Sequence, residues 1–479
     1  MIALHRGLWY MGGKSRVLEG PLSRAIEEEA PRGTTVVDLM SGSGVVAAYC
    51  ADGRRVFAND VEPYAWVVAR SLIEHDEDSK GAFLRSVDPR RDLSEAYARN
   101  FEQLSRCYRE PLEVEDRLLE RFAAGERGSR WCAEYRRFLE EPGSLYGGPP
   151  LDGARLYAAA APLLREESVR RYREDPRRAP ACLATAYYAN VYFGLRQAIA
   201  IDSLASAIGA PARGDPLRER KRVHYLSALL HAASFSTSGT SHFAQPRHLG
   251  KDSELLAVAR RRTADIFSRL EDCSRDILET VRRTSYVPGN EAFCSDYRAF
   301  LERAEAGDGR SPGAPAFRFP GEVDLVYFDP PYTADNYSRF YHVLDVLVDY
   351  DYPPLETDRS GRVVRGRYPA IERRFQSEFT KRRAVEGEFR TVIRASAAAG
   401  AKLIVSYASP TGLLIRRYAE RHPGTDPVAR LEAVCREAYE EVATEREPVL
   451  HSGQGDKNRA VEELVIVCRK PRHSRKRAW

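Results

Sequence analysis

Asp329, Pro330, Pro331 and Tyr332 stand directly after a strand-like run, Val323 to Phe328. Consecutive prolines fix φ and supply no N–H, so the strand must stop there and its last carbonyls stay outside any ladder. Asp329 and the Pro330 carbonyl then present two acceptors side by side, which match a planar amino group with two N–H donors. The exocyclic nitrogen of adenine is such a group, and it is a poor nucleophile because its lone pair is delocalised into the ring. Two acceptors that hold its N–H groups draw the nitrogen towards tetrahedral geometry and localise the lone pair for attack on an electrophilic methyl. Tyr332 offers a π-face for the base, worth about 1–3 kcal/mol on single-stranded nucleic-acid platforms. Four specified residues arise by accident in a chain of this length on the order of 0.003 times. A tight turn capped by an aspartate is the remaining structural explanation.

A second constellation lies near the start of the chain. Val36 and Val37 lead into Asp38, and Gly42 and Gly44 form a glycine turn at that strand's carboxyl end, where open α/β sheets bind ligands. About twenty residues on, the next strand ends in Asn59-Asp60, and an acid at this spacing suits ribose hydroxyls. No G-x-x-x-x-G-K-[ST] loop is present, so a nucleoside without phosphates fits better than a triphosphate. Upstream, Gly12-Gly13-Lys14 reads as a turn opening a helix.

The elements that must carry these residues are legible from periodicity. Residues 34–75 read as strand, glycine turn, helix from about Val45, strand over Arg54–Asp60, turn and helix. Strand-like runs return at 323–329, 401–409 and 462–470. This alternation predicts an α/β fold whose parallel sheet is covered by helices on its faces. Between the two parts, Arg/Glu/Leu/Ala-rich helical stretches continue for roughly 200 residues, too long for a connection. The expected division is therefore 1–75 and 285–479 for the sheet domain, with a helical domain inserted over 76–284.

Length allows two or three domains. No apolar run approaches the ~20 residues of a membrane span, and the N-terminal stretch lacks the features of a secretory signal, so a cytoplasmic protein is expected. The eight cysteines are scattered singly without metal-ligand spacing, which predicts reduced thiols and no metal. A net charge of +5 does not by itself prove a polyanionic partner. Basic residues do cluster, interleaved with aromatics, over Arg359–Arg383 and again in the tail.

The ordered set "WYMGGK", "DLMSGSG", "NDVEPY", "FCSDY" and "DPPY" resembles the D12-class, Dam-like N6-adenine DNA methyltransferases, in the alpha order of motifs. The resemblance covers residues 7–75 and 286–350, is weaker over the later strands and only loose over the insertion. It implies a Rossmann-like domain that uses S-adenosylmethionine, a target-recognition insertion, and an adenine flipped out of duplex DNA. It implies that Tyr10, Met11 and Lys14 form an N-terminal cofactor loop, with Asp38, Gly42 and Gly44 around the methionine moiety. Asp60 would take the ribose, Asp296 the cofactor's adenine amino group, and Asp329, Pro330, Pro331 and Tyr332 the catalysis. Met40 departs from the family's usual phenylalanine, and an adaptable apolar side chain can line the same pocket.

Substrate contacts are expected from Tyr337, which opens the helix after the catalytic motif. Gln245 and Arg247, in a polar loop of the insertion, have side chains able to read adenine and guanine edges. Arg365, Arg367 and Arg373 are expected at phosphates. A cognate restriction or defence-system nuclease is a candidate partner. An RNA adenine, a glutamine side-chain amide, or a silent DNA-binding relative are the alternatives kept open.

Overall fold

A computed structural model describes residues 14–140, 145–147, 155–240, 242–303, 319, 321–450 and 460–472. Tyr10 and Met11, expected in the cofactor loop, lie outside the described residues. The chain divides into two compact units: Met1–Gly81, Glu279–Tyr337 and Phe375–Trp479 form one, Ala82–Leu278 and Ser338–Arg374 the other. The expected divisions after residues 75 and 284 fall instead after Gly81 and Leu278, and Ser338–Arg374 joins the helical unit although it follows the Asp329–Tyr332 motif in sequence.

The first unit is built on one seven-stranded sheet. In chain order the strands are β1 (Thr35–Asp38), β2 (Arg55–Asp60), β3 (Glu291–Cys294), β4 (Leu325–Phe328), β5 (Lys402–Ser409), β6 (Tyr439–Leu450) and β7 (Ala460–Pro471). Their order across the sheet is β3-β2-β1-β4-β5-β7-β6. The pairs from β3 through β5 are parallel, while β7 runs antiparallel to both β5 and β6. The central strands are covered on both faces, so Val36, Val37 and all of β4 are buried, which explains their continuous apolar runs. The order reverses between β1 and β4, whose carboxyl ends lie side by side with Asp38 paired to Tyr327. A crevice at such a switch point is the standard ligand position in open α/β sheets.

Two strands escaped the sequence reading. β3 is only four residues long and carries Glu291 and Cys294 at its exposed ends. β6 is the sheet's edge, reads YEEVATEREPVL, and exposes acidic and basic residues along its length. Charge on an edge strand blocks pairing with other chains, and it hides the apolar alternation by which strands are recognised.

The second unit is helical. Pro89–Cys107 and Pro216–Ser236 both begin at an aspartate cap followed by proline: Asp88 accepts from the Arg91 N–H at 3.1 Å, and Asp215 from the Arg218 N–H at 3.0 Å. The start of Leu195–Ile208 is capped from another helix, because buried Glu115 accepts from the N–H groups of Leu195 and Arg196, both at 2.8 Å. Asp202, also buried, accepts from the N–H groups of Ala184 (2.8 Å) and Thr185 (2.7 Å) and from the hydroxyls of Thr185 and Tyr350 (both 2.6 Å). Every donor these acids need is supplied, so neither acid signals a ligand.

Candidate active site

The turn after β1 is shaped by its glycines. Gly44 has φ of 71°, and a Cβ there would stand 3.2 Å from Leu72 Cδ1 and 3.3 Å from Val68 Cγ1, so the chain approaches the helix Pro63–Ile73 as only glycine permits. The turn is fastened to the end of β2: Asp60 accepts from the N–H groups of Gly42 (2.8 Å) and Glu62 (3.0 Å), and the Ser41 N–H donates to the Asn59 carbonyl at 2.9 Å. Asn59 binds outward in both directions, to the Leu39 carbonyl at 3.2 Å and the Ser295 carbonyl at 3.1 Å. The ends of β1, β2 and β3 are thereby locked into one rim.

Asp38 sits on that rim, 1% exposed, and among the described residues neither of its carboxylate oxygens has a hydrogen-bond partner, nor has the buried Ser41 hydroxyl on the same turn. Burial first, then the nearby Asp329 and Asp60 carboxylates, push the Asp38 carboxyl well above the usual range, against the backbone N–H groups of Ala47 and Met40 that approach it. Burial also raises Asp60, against the N–H groups it accepts from. A buried carboxylate without a donor is costly unless a partner arrives. These unpartnered atoms and acids fit a cationic, polar guest. Asp296, half-buried after β3, accepts from the Arg298 N–H at 3.0 Å and is raised chiefly by burial.

Beyond β4, the two prolines end the strand as expected, and the loop is anchored where the Leu413 N–H donates to the Tyr332 carbonyl at 2.7 Å. Lys14 is 6% exposed and its ammonium lies 3.0 Å from Asp329 Oδ1 and 2.8 Å from Glu463 Oε1, with a further contact to the Tyr332 hydroxyl. The Tyr332 hydroxyl lies 2.8 Å from Asp329 Oδ1 and 2.5 Å from Glu463 Oε1. Lys14 is thus placed with the Asp329–Tyr332 motif, and its three N–H donors have three partners. Burial works against its charge, yet Asp329 and Glu463 hold the ammonium above the ordinary lysine range. Burial raises Asp329; Lys14 opposes that shift and Glu463 reinforces it. Among the described residues, Asp329 Oδ2 has no hydrogen-bond partner. Tyr332 packs edge-on to Tyr407, with ring centroids 5.1 Å apart. The Tyr337 phenol is pushed up to about 12, first by burial and then by Asp329.

Glu463 was missed by the sequence reading, although a signal exists. In "AVEELVIVC" two adjacent acids occupy a strand, and alternation forces them to opposite faces. Glu462 faces outward, 3.6 Å from Arg446, and Glu463 is buried. A buried acid on a central strand demands a cation.

The expected substrate residues all lie in the helical unit except Tyr337. Gln245 is exposed. Arg247 is half-buried, paired with Glu254 at 2.7 Å and donating to the Gly239 carbonyl at 3.1 Å. Arg365 is exposed and donates to the Arg247 carbonyl at 2.6 Å, while Arg373 is exposed and paired with Asp351. Arg367 departs from expectation. It is 4% exposed, has φ of 52°, and donates to the Tyr146 carbonyl within its unit, so its guanidinium faces inward and burial pulls it down to about 10.

A seven-stranded α/β sheet with a buried acid at its switch point is compatible with a methyltransferase fold. Residues 10–120 match the family model of the D12 class N6 adenine-specific DNA methyltransferases, a match that takes in the Asp38–Gly44 turn and Asp60. It supports a DNA adenine methyltransferase. No curated protein matches the chain. Among the described residues, no helix is long and apolar enough to cross a membrane, and no group of His, Cys, Asp and Glu is arranged to hold a metal ion.

Proposed function

We propose that this protein transfers a methyl group from S-adenosylmethionine to N6 of an adenine extruded from duplex DNA. The observation that carries the reading is the placement, at one switch point, of the unpartnered Asp38 carboxylate beside the Asp329-Pro330-Pro331-Tyr332 strand end. A Rossmann-like arrangement and a helical target-recognition unit belong to the same reading. So do a cytoplasmic setting where the protein meets duplex DNA and a cognate restriction or defence nuclease as partner.

When bound, the cofactor supplies an electrophilic methyl on a cationic sulfur. Asp38 and the Gly42–Gly44 turn would hold its methionine end, Asp60 its ribose and Asp296 its adenine. The excess of carboxylate over ammonium at the rim suits a guest of positive charge. Asp329 Oδ2 and the Pro330 carbonyl take the two N–H groups of the target amine and orient its lone pair. Lys14 and Tyr332, both bound to Oδ1, fix the carboxylate's rotation so that Oδ2 remains for substrate. Methyl transfer depends more on this alignment than on a strong base, and Asp329 accepts the amino proton as the nitrogen becomes cationic. Tyr337 would wall the base pocket. Extrusion costs a few kcal/mol, offset by stacking and by phosphate contacts from exposed arginines such as Arg365 and Arg373.

The test is incubation with labelled S-adenosylmethionine and duplex DNA, structured RNA or protein in separate reactions. Label in adenine of the duplex, lost in Asp329→Ala, supports the reading. Label confined to RNA or to glutamine moves the substrate to that class.

A further inference from the structure

Glu463 belongs to the antiparallel strand β7, opposite Ala408 of β5, outside every motif named above. It is 7% exposed, and the same oxygen, Oε1, meets both the Lys14 ammonium at 2.8 Å and the Tyr332 hydroxyl at 2.5 Å. Asp329 Oδ1 meets the same two groups at 3.0 and 2.8 Å. Two carboxylates therefore compete for one ammonium and one phenolic proton. The hydroxyl has a single hydrogen, so it is donated to Asp329 or to Glu463 but not to both at once. With both acids ionised the four groups carry a net charge of −1, and a buried negative charge of this kind resists further ionisation.

We propose that Glu463 is a positioning residue that sets the charge state of Asp329, by drawing off part of the Lys14 ammonium and the Tyr332 proton that would otherwise saturate Asp329 Oδ1. A carboxylate saturated by an ammonium and a phenol is a weak acceptor. Sharing both with a second acid keeps Asp329 basic enough to grip an amino group and receive its proton. The repulsion between the two acids has the required sign, since Glu463 raises the Asp329 carboxyl and Lys14 lowers it. The role in methyl transfer rests on the reading given above, while the control of Asp329 by Glu463 does not.

The decisive experiment follows the Asp329 carboxyl directly, by carbon NMR titration of the full chain labelled at aspartate carboxyls. The Asp329 resonance is assigned by its loss in Asp329→Asn. In Glu463→Gln, which keeps shape and removes charge, the Asp329 midpoint is expected to move about one pH unit lower. Glu463→Asp keeps the charge on a shorter arm, and an intermediate displacement is expected; it also serves if the glutamine variant folds poorly. In parallel, the acid limb of the single-turnover pH–rate profile on duplex DNA moves down by the same amount, with cofactor affinity unchanged. An Asp329 midpoint identical in the wild type and both variants overturns the proposal. So does a glutamine variant whose rate falls equally at every pH, because a merely structural role would do that. If the wild type methylates no DNA while the midpoint moves as expected, the reading of the substrate falls and the coupling of Glu463 to Asp329 stands.

Discussion

Asp38 is a buried carboxylate with neither oxygen hydrogen-bonded among the described residues. An amide in its place removes a buried charge at no cost in volume. Asp38→Asn is therefore expected to melt no lower than the wild type without cofactor, and to lose about tenfold or more in S-adenosylmethionine affinity, as befits one charge-assisted hydrogen bond. Calorimetric titration beside a melting curve reads both, and a variant less stable with unchanged affinity would make Asp38 a folding residue. Arg367 is read the other way. Because it is buried and bonded to the Tyr146 carbonyl, Arg367→Ala is expected to lower stability while the salt dependence of DNA binding stays as in the wild type. Arg365→Ala, at an exposed position, should reduce the slope of log K against log salt by about 1 and leave the melt unchanged.

At the scale of elements, the turn between β1 and the helix Val45–Cys50 does the positioning. Gly44→Ala forces a side chain into a left-handed backbone and against Leu72 and Val68, and it should cost about 1–2 kcal/mol by denaturant unfolding. The sequence made this element and the end of β4 readable because both are local: glycines at fixed offsets, two prolines, and apolar runs whose length matches a buried strand. The acids Asp38, Asp60 and Asp329 were readable for the same reason, since each ends a strand. What local pattern could not reveal was the order in which strands meet. Glu463 reaches Lys14 only because β7 returns beside β5, a pairing across a separation of 449 residues. Arg367 misled for a related reason: a basic segment shows its composition, whereas the direction of one guanidinium depends on the packing of the aromatic residues around it.

For the whole molecule, acid is expected to act through buried groups of opposite sign, and the histidines of the helical unit supply the destabilising part. His231 and His342 are buried there, and burial pulls them down to about 4 and about 3, so both stay neutral in the fold while the unfolded chain takes up protons near pH 6.5. The unfolded state then binds more protons, and the stability these histidines contribute is full above pH 6.5 and is lost as pH falls towards their folded values. Asp202 and Asp329, both pushed up to about 6, work in the opposite sense, as do Asp38, Asp60 and Glu115, which burial raises; each contributes more as pH falls. The histidine contribution is therefore read by difference: in melting series from pH 8 to pH 5, replacing His231 by an isosteric neutral residue should remove a loss on the order of 2 kcal/mol by pH 5. A two-unit molecule of this kind would join chemistry at the strand ends to recognition by the helices. The central claim is tested most directly by mass spectrometry of nucleosides from duplex DNA incubated with the protein and S-adenosylmethionine. N6-methyldeoxyadenosine is predicted with the wild type and none with Asp329→Ala. Methyl groups found in no adenine of the duplex, or found equally with both proteins, would contradict the account.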